Sequence, residues 1–164
     1  LSKKLDKIAK VETARAHASA VNKVAAQSKT AVASEVSRET KIQVKHIKSR
    51  IYIRRATAAK GLAKISFYAR PINGINAKPM RQRSGWRVGG EIKKRSFLAR
   101  MPNQSRHYIF QRKGRSRLPI KMVTVPISDP VQRIGKAVVE FKMRREYSRI
   151  LKHELNVRIM KYVS

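Results

Sequence analysis

Carboxylates and histidines are the side chains of this sequence that could carry out acid–base or metal chemistry, and their spacing excludes most of it. There are nine Asp and Glu residues, and Glu91 is the only one between residues 41 and 128. Two-metal nuclease chemistry requires several carboxylates around the ions, and a glycosidase requires at least two. Glu35 and Glu39 share a helix face, and Glu140 lies among cations. Helix ion pairs account for all three better than catalysis does.

The sequence contains no recognisable motif for metal binding or for nucleophilic catalysis. The histidines His17, His46, His107 and His153 fall in different predicted elements, without zinc-motif spacing, and there is no cysteine. The glycine-rich stretch 85–90 lacks the Lys-Ser/Thr ending of a phosphate-binding loop, so it is read as a turn with Trp86 as its aromatic anchor. We therefore predict a non-enzyme with no catalytic residues, metal, cofactor or small-molecule substrate.

Basic charge is the strongest signal in the composition. Lys and Arg total 40, which gives a formal net charge of +31. A surface with this excess binds polyanions, because each contact to a phosphate releases condensed counterions. We name ten cations as candidate nucleic-acid-binding residues: Arg81, Arg83, Arg87, Lys93, Lys94, Arg95, Arg112, Lys113, Arg115 and Arg117.

These candidates form two clusters. The first extends from Lys78, a further cation, to Arg95, and the second extends from Arg112 to Arg117 around Gly114. Both clusters fall in predicted loops. Loops of this kind suit contacts to phosphates rather than to base edges. No helix-turn-helix, zinc finger or ribonucleoprotein aromatic pair is present, so we expect sequence-independent binding. Trp86 could stack on a base, although a single Trp in a loop more often anchors that loop to the core.

The N-terminal part is predicted to be helical. Residues from about 4 to 38 form one long helix without Gly or Pro. Its buried stripe consists of small residues at spacings of three and four: Val21, Val24, Ala25, Ser28, Val32 and Val36. Thr40 and Gln43 have the form of a capping box, which would open a short second helix through Val44, Ile47 and Ile51.

Period-two alternation begins near residue 51 and predicts strands. The first alternation covers 51–53 and 65–69 and ends at the turn Pro71–Gly74. Residues from about 72 to 95 are interpreted as a long basic loop or an extended hairpin arm. Three more strands are predicted at 96–101, 108–111 and 120–127, with Gly114 in the turn between the last two.

A long C-terminal helix is predicted to follow, with Asp129 as N-cap and Pro130 as its first residue. The expected apolar stripe comprises Val131, Ile134, Val138, Phe141, Tyr147, Leu151, Leu155, Ile159 and Tyr162. The fold class is therefore α+β, with helices packed against an antiparallel sheet. We expect a single domain over 1–164, consisting of a helical part (1–50), the sheet with its basic arm (51–128) and the C-terminal helix (129–164).

Length and apolar content indicate a thin core. The 164 residues are 41% apolar but only 6% aromatic, so we expect neighbouring subunits to help bury the small-residue helix face. A closed ring would present the basic loops of all subunits to an axial polyanion. The apolar runs are too short for a membrane span, and residues 1–5 lack the apolar block of a signal peptide, so we expect synthesis inside the cell and no membrane partner.

Two blocks of sequence resemble a known family. The first runs from Ala20–Ala25 through Arg38–Lys41 to Arg55–Thr57. The second lies between Phe97 and Pro126 and contains Phe97-Leu98, His107–Arg112, Gly114 and Arg117–Ile120. In this order they resemble the minor tail protein Z family of tailed phages, over roughly residues 18 to 160.

The resemblance implies a virion component that completes the head-proximal end of the tail, with no catalytic residues to carry over. Expected partners are further copies of the chain in a hexameric ring, tail tube or tail terminator proteins, head-connector proteins and phage DNA. The expected location is the tail or neck of a virion assembled in the host bacterial cytoplasm. A ribosomal or other ribonucleoprotein structural protein is the alternative on charge alone, and a nuclease or recombination accessory enzyme is a second rival that the shortage of carboxylates disfavours.

Overall fold

A computed structural model describes the backbone of residues 2–163 and the side chains of residues 9–160. The helices are α1 (Ser2–Thr40), α2 (Val44–Lys48) and α3 (Ser128–Val163), with a 3-10 turn at Gly74–Asn76. The strands are β1 (Ile51–Arg54), β2 (Lys64–Phe67), β3 (Ile72–Asn73), β4 (Met80–Gln82), β5 (Gly85–Val88), β6 (Glu91–Lys94), β7 (Ser96–Arg100), β8 (His107–Arg112), β9 (Ile120–Met122) and β10 (Thr124–Val125). The predicted α+β class is confirmed.

Within residues 2–163 the strand pairs are antiparallel and form four small sheets. β1 pairs with β2, and β3 pairs with β10. β4, β5 and β6 form a three-stranded meander, which we call the arm sheet, and β7, β8 and β9 form a second meander, the distal sheet. The predicted strand 120–127 is divided between β9 and β10, which belong to different sheets. Of the two alternatives for 72–95, the structure has the hairpin form, with a third strand added.

Two glycines produce the tight turn between the second and third strands of the arm sheet. Gly89 and Gly90 have φ values of 60° and 91° and connect β5 to β6. A two-residue hairpin turn of the mirror-image type requires positive φ at both central residues, which glycine adopts without strain. The segment that resembled a long loop in sequence therefore folds back on itself twice within about fifteen residues.

The chain forms two compact units. The first comprises α1 up to Val32, residues Ile51–Phe67 and α3 from Gly135. The second comprises residues Ala33–Arg50 and Tyr68–Ile134. Within the first unit, Ala18, Val21 and Ala56 form one buried cluster, and Ala20, Val24 and Ile150 form another. All six residues of the predicted α1 stripe are buried, so that prediction is confirmed.

Ile150 determines which face of α3 is buried in the first unit, and two predicted stripe residues lie opposite it. Phe141 and Ile159 are each nine positions from Ile150, which is half a turn around a helix of 3.6 residues per turn. Their exposed fractions are 55% and 57%, so their predicted burial is wrong. Tyr147 and Leu151 pack against the core as predicted. The side chain of Tyr162 lies outside the described residues.

Two predicted helix starts also differ from the structure. Thr40 is the last residue of α1, and its hydroxyl donates to the Val36 carbonyl (2.7 Å) instead of capping α2. Gln43 is the N-cap of α2 and makes no side-chain capping bond. α3 begins at Ser128, so Asp129 lies in its first turn, where the helix dipole favours a carboxylate.

Polar contacts attach α1 to the rest of the first unit. The Glu12 carboxylate accepts from Arg158 (3.1 Å), and Lys23 pairs with Glu154 (2.5 Å). The hydrogen bond from Arg158 holds the pKa of Glu12 below its usual value, and that from Lys23 does the same for Glu154. The acids of this unit thus serve to join α1 to α3.

Asn22 provides the closest polar attachment in the first unit. Its side-chain amide donates to the Ala56 carbonyl (2.9 Å), and its carbonyl oxygen accepts from the Ala56 N–H (2.8 Å). We expect Asn22→Ala to lower the free energy of unfolding by about 2 kcal/mol, because both backbone groups of buried Ala56 lose their partner. Urea unfolding measures this change. Gln27→Ala, an exposed site on the same helix, is the control and should change stability by less than about 0.5 kcal/mol.

Candidate nucleic-acid interface

The strand-bearing part of the second unit holds a large excess of positive charge. Residues 68–128 contain fifteen Lys and Arg and a single acid, Glu91, for a formal charge of +14. Of the ten predicted binding residues, nine are exposed and Lys93 is half-buried. A charge excess at this density repels itself unless a polyanion or an acidic surface is nearby.

The junction between β6 and β7 brings the two predicted clusters together. Arg95 has a left-handed φ of 57°, and its N–H donates to the Ser84 carbonyl (2.9 Å). The hydroxyl of Ser96 accepts from the Trp86 N–H (2.8 Å) and donates to the Lys93 carbonyl (2.5 Å). These bonds fasten the start of the distal sheet to the arm sheet, so cations that are distant in sequence share one surface.

The Gln111 side chain completes this attachment by donating to the Lys94 carbonyl (3.0 Å). Gln111 lies opposite Ser96 in the distal sheet and immediately before Arg112. The residue immediately before the second cluster is therefore bonded to Lys94, a member of the first cluster.

Strand register divides the arm-sheet cations between two faces. Arg81 is opposite Trp86, which is opposite Lys93, so these three share one face. Arg87 and Lys94 lie on the other face. The structure therefore does not bring Arg87 and Lys94 into the same surface as Arg81, and this division depends on a register that the sequence analysis did not assign.

Lys93 differs from the other nine candidates because it is paired with an acid. Its ammonium group donates to the Glu91 carboxylate, which lowers the pKa of Glu91 from its usual value. Within residues 9–160, none of the other nine candidate cations forms an ion pair. Their charge is thus uncompensated, whereas Lys93 is the weakest candidate of the ten.

Two adjoining grooves collect five of the arginines. The larger groove, about 500 Å³, is lined by Arg81, Gln82, Arg83, Ser84, Gly85, Trp86, Ser96, Phe97 and Leu98. The smaller groove, about 490 Å³, is lined by Arg95, Ser96, Phe97, Arg112 and Arg115. Ser96 and Phe97 line both grooves, and we call the two grooves together the Phe97 grooves. Lys113 and Arg117 are exposed in the loop between β8 and β9 but line neither groove.

Phe97 is the functional candidate that sequence reasoning missed, since it was assigned only to a strand. The Arg112 guanidinium lies over its ring, 5.6 Å from the centroid, and the Phe110 ring is 6.1 Å away. A cation–π contact positions a guanidinium without neutralising it, so its N–H groups remain available to an anion. No sequence pattern indicates this role, because Phe97 and Arg112 become neighbours only through the antiparallel register that places Phe97 opposite Phe110.

Guanidinium groups beside aromatic rings can bind anions and planar groups. Among the described side chains, no three His, Asp or Glu residues lie close enough together to hold a metal ion. No helix in the described part of the chain is both long and apolar enough to cross a membrane. The arrangement can hold phosphates or carboxylates by charge and can contact planar groups through Trp86 and Phe97.

Comparison with known proteins places the chain among the structural proteins of phage tails. The family described as prophage minor tail protein Z (GPZ) matches residues 2–164, and this chain belongs to that family. Tail completion protein Z of Escherichia phage lambda is 28% identical over 161 residues, which covers 87% of this chain and 83% of the relative. The tail completion protein of Escherichia phage N15 is 27% identical over 139 residues, covering 77% and 75%. No solved structure matches.

Proposed function

We propose that this chain is a tail completion protein that acts at the head-proximal end of the phage tail, where the tail joins the head connector. Membership of the minor tail protein Z family and similarity to two tail completion proteins support the tail completion part of this proposal. The ribonucleoprotein alternative would account for the charge equally well, and the family match favours the tail protein.

The observation that carries the mechanism is the concentration of uncompensated arginines around Phe97. Arg81, Arg83, Arg95, Arg112 and Arg115 line adjoining grooves without forming an ion pair in the described part of the chain. In our proposal this surface faces phage DNA or an acidic neighbouring protein ring. Either partner would relieve the repulsion among the five guanidinium groups.

The proposed assembly is a ring of six copies in which the helices form the contacts between subunits. Closed cyclic symmetry would bring every copy of the basic surface towards one axis. The exposed Phe141 and Ile159, on the face of α3 opposite Ile150, are apolar side chains that a neighbouring subunit would bury. The other partners in the proposal are tail tube or tail terminator proteins and head-connector proteins, assembled in the host cytoplasm.

Labelling of purified tailed particles with an antibody against this chain tests the location. We expect label at the head–tail junction and no label on heads isolated without tails. Label along the tail tube, or protein found only in ribosome fractions, would contradict the proposal. In the same particles, substitution of several surface arginines should reduce DNA retention or delivery more than particle assembly. Loss of assembly with DNA binding intact would identify the surface as a protein docking site.

A further inference from the structure

Aromatic rings in the Phe97 grooves require an explanation that charge alone does not provide. Duplex DNA offers phosphates to an arginine surface, but its base faces are stacked on each other and cannot contact Trp86 or Phe97. A duplex or an acidic protein ring would be held as well by arginines on a surface without aromatics. An unpaired strand differs because its base faces are free to stack on aromatic side chains.

We propose that the Phe97 grooves bind an unpaired segment of nucleic acid, single-stranded DNA in the setting of the proposed function. A base lies against Trp86 in the larger groove, with its flanking phosphates on Arg81 and Arg83. The strand continues past Phe97 into the smaller groove, where Arg95, Arg112 and Arg115 take the next phosphates. This inference rests on the proposed function only where it identifies the single strand as DNA rather than RNA.

The dimensions and the lining of the grooves fit this ligand. Each groove, near 500 Å³, lies in the volume range of sites for small organic groups. Gln82 and Ser84 add neutral donors and acceptors to the larger groove, and Arg112 is already positioned by its contact with Phe97. Every base has a face that can stack and a flanking phosphate, so we expect binding through these contacts to be independent of sequence.

The arm sheet holds Trp86 in place for stacking. Its backbone N–H is bonded to Ser96, and it lies in the central strand of the sheet with partners on both sides. The indole is half-buried, so one part is anchored and another part lines the groove. A ring fixed in this way loses little conformational entropy on binding.

Trp86 is also the only tryptophan in the chain, so the intact protein reports stacking through its own fluorescence. We expect oligothymidylate to quench the emission at saturation, because a stacked base quenches an indole. Heparin and polyglutamate carry anionic charge without bases, and we expect them to bind with much less quenching. Equal quenching by heparin, or oligothymidylate binding detected by anisotropy without quenching, would overturn the proposal.

Substitutions separate stacking from charge. We expect the variant Trp86→Leu, which leaves Arg112 on Phe97, to lose about tenfold or more in affinity for labelled oligothymidylate and much less for a blunt duplex with the same number of phosphates. The control variant Trp86→Phe keeps an aromatic ring that can stack, so it should retain most of the affinity for oligothymidylate. It distinguishes loss of stacking from structural damage caused by substitution at this position. Equal losses for duplex and single strand in a folded variant would contradict base stacking.

The two proposals can fail separately. Absence of label at the head–tail junction would refute the proposed function, while a fluorescence response to oligothymidylate would still establish the groove ligand. Junction label combined with equal affinity for polyglutamate and oligothymidylate would keep the proposed function. It would overturn the single-strand site and assign the grooves to an acidic protein surface.

Discussion

Substitution of all five groove arginines by glutamine is expected to make the salt dependence of DNA binding shallower. The slope of log affinity against log salt concentration should change by about 3 to 5. The five residues are Arg81, Arg83, Arg95, Arg112 and Arg115. Each guanidinium that contacts a phosphate releases counterions, and each loss reduces the slope by a little under one. Affinity at low salt should fall by on the order of a hundredfold or more.

A matched control distinguishes placement from total charge. Arg54, Arg55, Lys60, Lys64 and Arg144 are exposed cations of the first unit, and glutamine at all five removes the same formal charge. Fluorescence anisotropy with labelled DNA at several salt concentrations measures both variants, with circular dichroism to confirm folding. The control should change the slope by less than about one. If both variants lose equally, the interaction depends on net charge and the Phe97 grooves have no special role.

Gly85→Ala is expected to be the most damaging single substitution in the interface. A Cβ at this position would lie 2.3 Å from the Lys93 carbonyl oxygen, and Gly85 has a φ of +150°, which side-chain-bearing residues rarely adopt. We expect a loss of about 3 kcal/mol in the free energy of unfolding of the second unit, since backbone strain and a clash with a backbone atom act together. Binding of DNA should weaken as well, because Gly85 lines the larger groove and adjoins Trp86.

Gly114→Ala is the control for this prediction. Gly114 lies in the basic loop between β8 and β9, and a Cβ there would meet no atom within 4 Å. Its substitution should change stability by less than about 0.5 kcal/mol. Urea unfolding followed by circular dichroism, together with DNA binding by anisotropy, measures both variants. A Gly85→Ala protein as stable as wild type would show that the arm sheet has a different register from the one described.

Elements defined by neighbours in sequence were predictable. The α1 stripe from Val21 to Val36 repeats every three or four residues, and such a period buries one face of a helix whatever the helix packs against. Strand alternation at 96–101 and at 108–111 predicted β7 and β8 to within a residue or two. The charge excess and the absence of carboxylates between 41 and 128, apart from Glu91, also follow from sequence alone.

Elements whose environment depends on distant residues were predicted less well. Thr40 has the sequence of a cap for α2, yet its hydroxyl bonds back to Val36 because α1 extends to that residue. Phe141 fits an apolar period, but packing at Ile150 turns it towards solvent. In both cases two local arrangements were available, and contacts elsewhere in the chain selected one.

The sequence by itself determined that this protein is α+β, strongly basic and similar to the minor tail protein Z family. Only the tertiary structure decided that Arg81 and Arg112 belong to neighbouring grooves, that Arg87 faces away from Arg81, and that Lys93 is neutralised by Glu91. The physical reason is register: a strand's side chains alternate faces, so a shift of one residue in pairing exchanges the exposed set. That register depends on hydrogen bonds such as those of Ser96 and Gln111, whose partners no local pattern specifies.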